Sequence, residues 1–143
     1  MTKTIRHNVA VGAHPKVVYA AVIDERRHAR FTGAPATISR EVGGSFTCYG
    51  GHLTGINLEL VPSKRIVQAW RAKGWPAGVH SIVSFALSRK AGGRTRILFT
   101  HLGVPASEFK DINKGWRKFY WRPLKSLLEK QSRHRVPREN QGT

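Results

Sequence analysis

The sequence predicts an α+β fold in which a curved antiparallel sheet is covered by one long C-terminal helix. Hydrophobic residues recur with a period of two through residues 36–102, as they do in strands. Glycine and proline pairs separate these runs at short intervals, which leaves no room for crossover helices and indicates antiparallel pairing. In residues 107–130 the hydrophobic spacing changes to three and four residues, as on one face of a helix.

The chain begins with a predicted strand and two short helices. Residues 4–11 alternate loosely between hydrophobic and polar side chains. Pro15 suits the first position of a helix, and Asp24 can cap a second helix that ends at residues 31–33. The predicted order is therefore strand, helix, helix.

The strands that follow are marked by short hydrophobic runs with turn residues between them. One run is expected to place Ile56, Leu58 and Leu60 on a single face of its strand, because side chains two residues apart point the same way. No internal repeat of fixed length is present. A single sheet with one covering helix is the simplest arrangement that buries every hydrophobic stripe.

The last predicted helix carries two different faces. Ser107 can act as its N-cap, Pro123 is expected to bend it, and Trp121 falls outside its hydrophobic face. The hydrophobic face consists of Phe109, Ile112, Trp116, Phe119, Tyr120, Leu124 and Leu127. Lys110, Lys114, Lys118 and Arg122 recur at four-residue steps on another face.

Length and composition narrow the class of protein. The length of 143 residues suits one domain, which we assign to residues 1–130, and residues 131–143 have the composition of a basic, disordered tail. No hydrophobic run approaches the ~18 residues that span a bilayer, and no signal core is evident, so we expect a cytoplasmic protein. Cys48 is the one cysteine, which excludes an internal disulfide and favours an inert, packed thiol.

Charge is the outstanding feature of the composition. The chain has 25 lysines and arginines against 8 acidic residues, a formal net charge of +17. Such an excess predicts attraction to polyanions whatever the fold. No RNA-recognition, zinc-finger or helix-turn-helix pattern accompanies it, so any association with nucleic acid is expected to be non-specific.

Several short motifs, taken in order, resemble one known family. They are FTGAPA at residues 31–36, GGSF at 43–46, YGG at 49–51, ELVP at 59–62, IVQAWR at 66–71, WPAG at 75–78, GVP at 103–105, GW at 115–116 and YWRPL at 120–124, with Gly55 between the third and fourth. Together they resemble the C-terminal domain of activators of the heat-shock protein 90 ATPase, over roughly residues 5–128.

The resemblance carries expectations about fold and function. It implies the helix-grip fold of START and Bet v 1-like proteins, in the order strand, two helices, six strands, helix. It also implies a co-chaperone-like role in the stress response, with the chaperone or another acidic protein as partner. Eukaryotic activators carry an additional N-terminal domain that provides the main grip on the chaperone, and this chain resembles their second half.

A hydrophobic cavity between the sheet and the last helix is the first candidate site. Its candidate lining residues are Phe46, Leu58, Trp70, Phe85, Trp116 and Tyr120. Large aromatic residues often simply fill a core, and the alternative is a pocket for a small hydrophobic ligand. Trp75 precedes a proline in a predicted loop, where it is either a lid on the pocket or an exposed contact residue.

A basic surface on the last helix is the second candidate site. Its candidate residues are Lys110, Lys114, Arg117, Lys118, Trp121, Arg122 and Lys125. The alternative is a solvated outer face with no partner. Tryptophan and arginine beside one another favour an interaction surface.

The residues offer little support for catalysis or metal binding. Glu59 is the one acid expected in the middle of a strand, and pairing with an arginine such as Arg71 is its simplest role. His52, His80 and His101 lie in separate runs without the local spacing of metal ligands. We therefore expect a non-enzymatic binding protein without cofactor or metal. The first hypothesis is an accessory of the chaperone, the second is a carrier or sensor of a hydrophobic ligand, and the third is non-specific association with nucleic acid through charge alone.

Overall fold

The structure is a computed structural model that describes residues 1–141, with side-chain detail as far as Gln131. The strands are β1 (Thr2–Val11), β2 (Thr37–Ile38), β3 (Ser45–Cys48), β4 (Leu53–Val61), β5 (Arg65–Ala72), β6 (Ser81–Lys90) and β7 (Arg94–Pro105). The helices are α1 (Pro15–Ile23), α2 (Glu25–Thr32), α3 (Phe109–Gly115) and α4 (Arg122–Gln141). A π-helical segment, Trp116–Trp121, joins α3 to α4 without a break.

All seven strands form one antiparallel sheet in the order β1-β7-β6-β5-β4-β3-β2. The order of elements and the α+β class predicted from the sequence are confirmed. Alternate residues of each strand point to an inner face, which the helices cover, and to an outer face. Phe85 of β6 and Phe99 of β7 pair in register on the inner face and are about 1% exposed.

The helix boundaries follow from capping residues. The His14 side chain accepts a hydrogen bond from the Lys16 amide at 3.1 Å, and Pro15 occupies the first helical position. Asp24 accepts hydrogen bonds from the amides of Arg26 and Arg27 at 3.0 and 3.1 Å, which starts α2. Gly33 ends that helix with a left-handed φ of 74°, a conformation that glycine adopts without steric cost.

Strand β4 differs from its predicted pattern at Ile56 and Leu58. A bulge between Asn57 and Glu59 breaks the register with β5, so the alternation changes phase there. Gly55 and Asn57 point inward before the bulge, which leaves Ile56 and Leu58 outward, 42% and 46% exposed. Only Leu60, beyond the bulge, packs partly against the core.

The last helical region differs from an ideal α-helix in a way that moves two aromatic side chains. A π turn spans five residues rather than four, which rotates the side chains within it about the axis. Trp121, predicted to be exposed, is therefore 4% exposed, and Phe119, predicted on the buried face, is 56% exposed. Trp116, Tyr120 and Leu124 remain buried as the spacing indicated.

The tail predicted to be disordered, residues 131–143, is helical as far as Gln141, and residues 142–143 lie outside the described residues. Leu124 and Leu128 of this helix are buried, and Glu129 accepts a hydrogen bond from the Gly12 amide at 2.8 Å. Through residue 141, none of the helices combines the length and hydrophobicity needed to cross a bilayer.

Candidate functional site

A cavity of about 380 Å³ lies between the inner face of the sheet and the helical region that begins with α3. Its walls are mostly hydrophobic. Five of the six predicted lining residues are found there, namely Phe46, Trp70, Phe85, Trp116 and Tyr120. Leu58 is the exception, because it points outward with Ile56 and is the unpaired residue of the bulge, and its prediction as a lining residue is wrong.

The cavity wall carries few polar groups, and two of them are His28 and Cys48. His28 of α2 is 3% exposed, and its Nδ1 atom has no hydrogen-bond partner among the described residues. Its Nε2 atom lies 3.8 Å from Cys48 Sγ. Burial lowers the pKa of His28 to about 4 and raises the pKa of Cys48 to about 12, so both side chains are uncharged near neutral pH. Such a wall suits an apolar, uncharged ligand.

A chain of hydrogen bonds fixes one wall of the cavity. Trp116 Nε1 donates to His101 Nδ1 at 3.0 Å. Because that nitrogen accepts, Nε2 of the same neutral ring carries the proton and donates to Ser81 Oγ at 2.7 Å. The Ser81 hydroxyl donates in turn to the Trp70 carbonyl at 3.1 Å. His101 is fully buried, and burial lowers its pKa to about 3. These hydrogen bonds thus hold the Trp116 side chain in place against strands β5, β6 and β7.

A second chain ties the π-helical segment to the edge of the sheet. Trp121 Nε1 donates to His7 Nδ1 at 2.9 Å, and His7 Nε2 donates to Asn113 Oδ1 at 2.6 Å. Burial lowers the pKa of His7, although the bond to Asn113 acts in the opposite direction. Trp121 therefore serves the core rather than the basic surface on which the sequence placed it. The sequence analysis missed this role of Trp121 because hydrophobic spacing does not reveal the π turn.

Gly115 lies at the rim of the cavity and lacks an evident structural reason to be glycine. Its φ of −61° is helical, and a methyl group added at its Cα would meet nothing closer than Phe119 Cδ2 at 3.9 Å. A glycine inside a helix costs about 1 kcal/mol relative to alanine. What its missing side chain does provide is open space beside the exposed Phe119 ring.

Trp75 is not an exposed contact residue, and it does not line the cavity. It is 7% exposed, and its ring packs edge-on against Trp70 at 5.5 Å between centroids. Its Nε1 atom donates to Glu108 Oε1 at 3.1 Å. Arg71 holds the same loop by donating to the carbonyls of Trp75 and Pro76 at 2.8 and 2.9 Å. These contacts bury a side chain that its loop position suggested to be free.

Glu59, the one acid expected in the middle of a strand, forms an ion pair at the surface. Glu59 pairs with Arg65 at 2.7 Å rather than with Arg71, and both partners are about half exposed. No group of three histidine, cysteine, aspartate or glutamate side chains in the described part of the chain is placed to hold a metal ion. His80 contacts the Gly78 carbonyl at 3.2 Å, and His52 lines the cavity mouth.

The basic surface predicted on the last helix is largely formed. The exposed members are Lys110, Lys114, Arg117, Lys118 and Arg122. Lys125 is half-buried, and Trp121 is excluded because it is buried. Phe119 replaces it as the exposed aromatic residue, with Lys118 Nζ 5.3 Å from its ring centroid. An exposed aromatic ring and arginines such as Arg117 and Arg122 are residue types enriched at protein interfaces.

Comparisons of sequence point to one family. A family profile described as "Activator of Hsp90 ATPase homolog 1-like protein" matches residues 12–129. The chain is 32% identical over 117 residues to "Activator of 90 kDa heat shock protein ATPase homolog" of Dictyostelium discoideum, covering 82% of this chain and 30% of the relative. It is 32% identical over 114 residues to "Activator of 90 kDa heat shock protein ATPase homolog 1" of Homo sapiens, covering 80% and 33%. The chain thus spans about a third of these relatives.

Solved structures confirm the fold. An HSP90 activator from Plasmodium falciparum superposes with a TM-score of 0.84 at 21% identity, covering 88% of this chain and 96% of that one. The Aha1 dimer from Colwellia psychrerythraea gives a TM-score of 0.76 at 20% identity, covering 89% and 96%. At these identities the likeness concerns the fold alone. Both agree with the helix-grip architecture that the resemblance implied.

Proposed function

This chain belongs to the activator of Hsp90 ATPase homolog 1-like family, and from that membership we propose that it is a non-enzymatic accessory of a heat-shock protein 90 chaperone. The relatives at 32% identity are named as activators of the chaperone's ATPase, and that observation supports the proposal most directly. The proposal assigns hydrolysis to the chaperone and recognition to this chain, which acts in the cytoplasm with Cys48 reduced.

The basic surface of the last helix is the proposed contact with the chaperone. Lys114, Lys118 and Arg122 are exposed around Phe119, and the two ion pairs of the described residues lie elsewhere. Unpaired cations of this kind accelerate association with an acidic surface and make affinity depend on salt. An exposed ring at their centre supplies the hydrophobic contact that electrostatics alone lacks.

The proposal is tested by measuring binding to the chaperone and the chaperone's ATPase rate with two double variants that change the charge by the same amount. Lys114→Glu with Lys118→Glu lowers the net charge of the helix surface by four units. Arg26→Glu with Arg27→Glu removes the same charge from exposed positions on α2. We expect the first pair to weaken binding about tenfold or more and the second pair by much less. Absence of wild-type binding to the chaperone at low salt contradicts the proposal.

A second candidate function is the carriage or sensing of a small hydrophobic ligand. The observation in its favour is the cavity of about 380 Å³ with mostly hydrophobic walls and an open rim at Gly115. A cavity of this size falls within the range of ligand sites in proteins, about 300–1,000 Å³. Native mass spectrometry of protein purified from cells is the direct test, and a mass equal to that of the bare chain in every preparation counts against it.

A further inference from the structure

A row of hydrophobic residues crosses the outer face of the sheet. Leu102 of β7 pairs with Ile82 of β6, Ile82 pairs with Ala69 of β5, and Ala69 pairs with Ile56 of β4. The four side chains therefore lie next to one another on four adjacent strands, about 5 Å apart from strand to strand. Leu102 is 45% exposed and Ile56 is 42% exposed, and Ile82 and Ala69 between them are half-buried. We name these four residues the outer row.

The outer row departs from the pattern expected of a solvated sheet face. One side of an antiparallel sheet packs on the core, and the other normally carries polar residues. The helices of this protein cover the inner face, where Trp116 and Tyr120 are buried. The outer row has no such cover among the described residues, and contiguous exposed hydrophobic residues usually mark a binding surface.

One arginine stands near the outer row on the same face of the sheet, and a second lies farther along that face. Arg6 of β1 lies opposite Thr100, two residues along β7 from Leu102, and Arg96 lies farther along that strand. Both are exposed, and neither pairs with a carboxylate of the described residues. Glu59, the acid nearest in register, is neutralised by Arg65. The face is thus hydrophobic in one row and positive beside it.

We infer that the outer row docks an acidic protein surface that offers hydrophobic side chains flanked by carboxylates. A second copy of this chain fits poorly, because face-to-face pairing places two positively charged faces against each other. A phosphate backbone satisfies the arginines and leaves Leu102 and Ile82 without a partner. This inference rests on the proposed function, in which the chaperone is that acidic partner, and it adds a contact on the opposite side of the sheet from the last helix.

The test compares two leucines on the same strand and face. Leu102→Thr shortens the hydrophobic outer row while keeping a residue that favours strands. Leu98→Thr is the matched control, because Leu98 is 50% exposed on β7 but pairs with Asn8 and Ala86, outside the outer row. Both variants are first checked for wild-type unfolding behaviour. We expect Leu102→Thr to weaken chaperone binding about tenfold and Leu98→Thr to change it less than twofold.

The possible outcomes separate the inference from the function it rests on. Wild-type binding that Leu102→Thr weakens and Leu98→Thr preserves supports the inference. Wild-type binding that survives both substitutions overturns the inference and leaves the proposed function standing. No wild-type binding removes both. A wild-type dimer in sedimentation that Leu102→Thr converts to a monomer shows instead that this face pairs two copies of the chain, which also overturns the inference.

Discussion

The Tyr49 hydroxyl group donates a hydrogen bond to the backbone carbonyl of Phe119 at 3.0 Å, across 70 residues of sequence. Four residues after Phe119 stands Pro123, which has no N–H and cannot supply the usual helical donor to that carbonyl. A side chain at the end of β3 thus takes the place of a backbone group in the helix. The bond joins the two sides of the cavity mouth, since Tyr49 and Phe119 both line it.

Replacing Tyr49 with phenylalanine is expected to lower the free energy of unfolding by about 1 kcal/mol, because the Phe119 carbonyl loses a partner while the ring is kept. The site is partly open to water, which limits the loss. Urea unfolding measures the effect. Tyr19→Phe is the control, because the Tyr19 hydroxyl has no protein partner among the described residues, and an equal loss in both variants contradicts the assigned role of Tyr49.

Asn57 holds the loop before β3 onto the bulged strand. It is fully buried, and its Nδ2 atom donates to the carbonyls of Ser39 and Glu41 at 2.7 and 3.1 Å. Its Oδ1 atom accepts from Gln68 Nε2 at 3.0 Å. One short side chain therefore satisfies three groups from two different parts of the chain.

Asn57→Ala is expected to lower the free energy of unfolding by about 2–4 kcal/mol, because it leaves three polar groups without partners. Chemical denaturation measures the change. Asn8→Ala on β1 is the matched control, since Asn8 is exposed and a surface change of this kind stays within about 0.5 kcal/mol. Equal effects at the two positions contradict the account of Asn57.

The sequence predicted the fold well because its hydrophobic periods are long and its turns are marked by glycine and proline. Three cavity residues, Phe46, Trp70 and Phe85, followed from the same alternation because they lie on regular strands. The errors fall where one extra residue changes the phase. The bulge shifts the inward phase to Leu60 and leaves Leu58 outward, and the π turn exchanged Phe119 for Trp121. The hydrophobic spacing of a sequence does not predict where such an extra residue is inserted, because hydrogen bonds to other elements decide its position.

Trp75 shows a different limit of sequence reasoning. Its loop position suggested exposure, but its ring is buried by contacts with Trp70 and Glu108, the latter 33 residues away. Contacts between residues so far apart in sequence leave no local pattern. The outer row was missed for the same reason, because the pairing of Leu102, Ile82, Ala69 and Ile56 depends on the registers of four strands.

Stability is expected to fall as the pH drops below the ordinary histidine pKa of 6.5. Burial lowers the pKa of His28 to about 4 and of His101 to about 3 in the folded protein. The unfolded chain therefore takes up protons first, and the stabilisation present above about pH 6.5 is lost progressively down to about pH 3–4. Each group is expected to account for about 2 kcal/mol of the loss between about pH 7.5 and pH 5.

Unfolding in urea at several pH values measures this dependence, and His28→Phe assigns part of it. Phenylalanine keeps a ring against Phe31 and Tyr120, whose centroids lie 4.9 and 5.5 Å from that of His28, and it removes the titrating group. The variant is expected to lose about 2 kcal/mol less than wild type on acidification. A pH dependence identical to that of the wild type shows that His28 does not contribute.

Gly115 offers a test of the cavity that leaves the fold intact. Gly115→Ala is expected to raise the free energy of unfolding by up to about 1 kcal/mol, because alanine favours the helix and its methyl group meets only Phe119 Cδ2, at 3.9 Å.

Gly115→Leu places a larger side chain at the rim of the cavity. It is expected to weaken the binding of a neutral apolar probe such as N-phenyl-1-naphthylamine by about tenfold or more. Ser126→Leu adds similar bulk at an exposed position of α4 and serves as the control. Probe binding is followed by fluorescence titration, and Trp70 and Trp116 in the cavity wall report occupancy independently. Unchanged probe affinity in Gly115→Leu shows that the rim at Gly115 does not admit the ligand, and the glycine then needs another explanation.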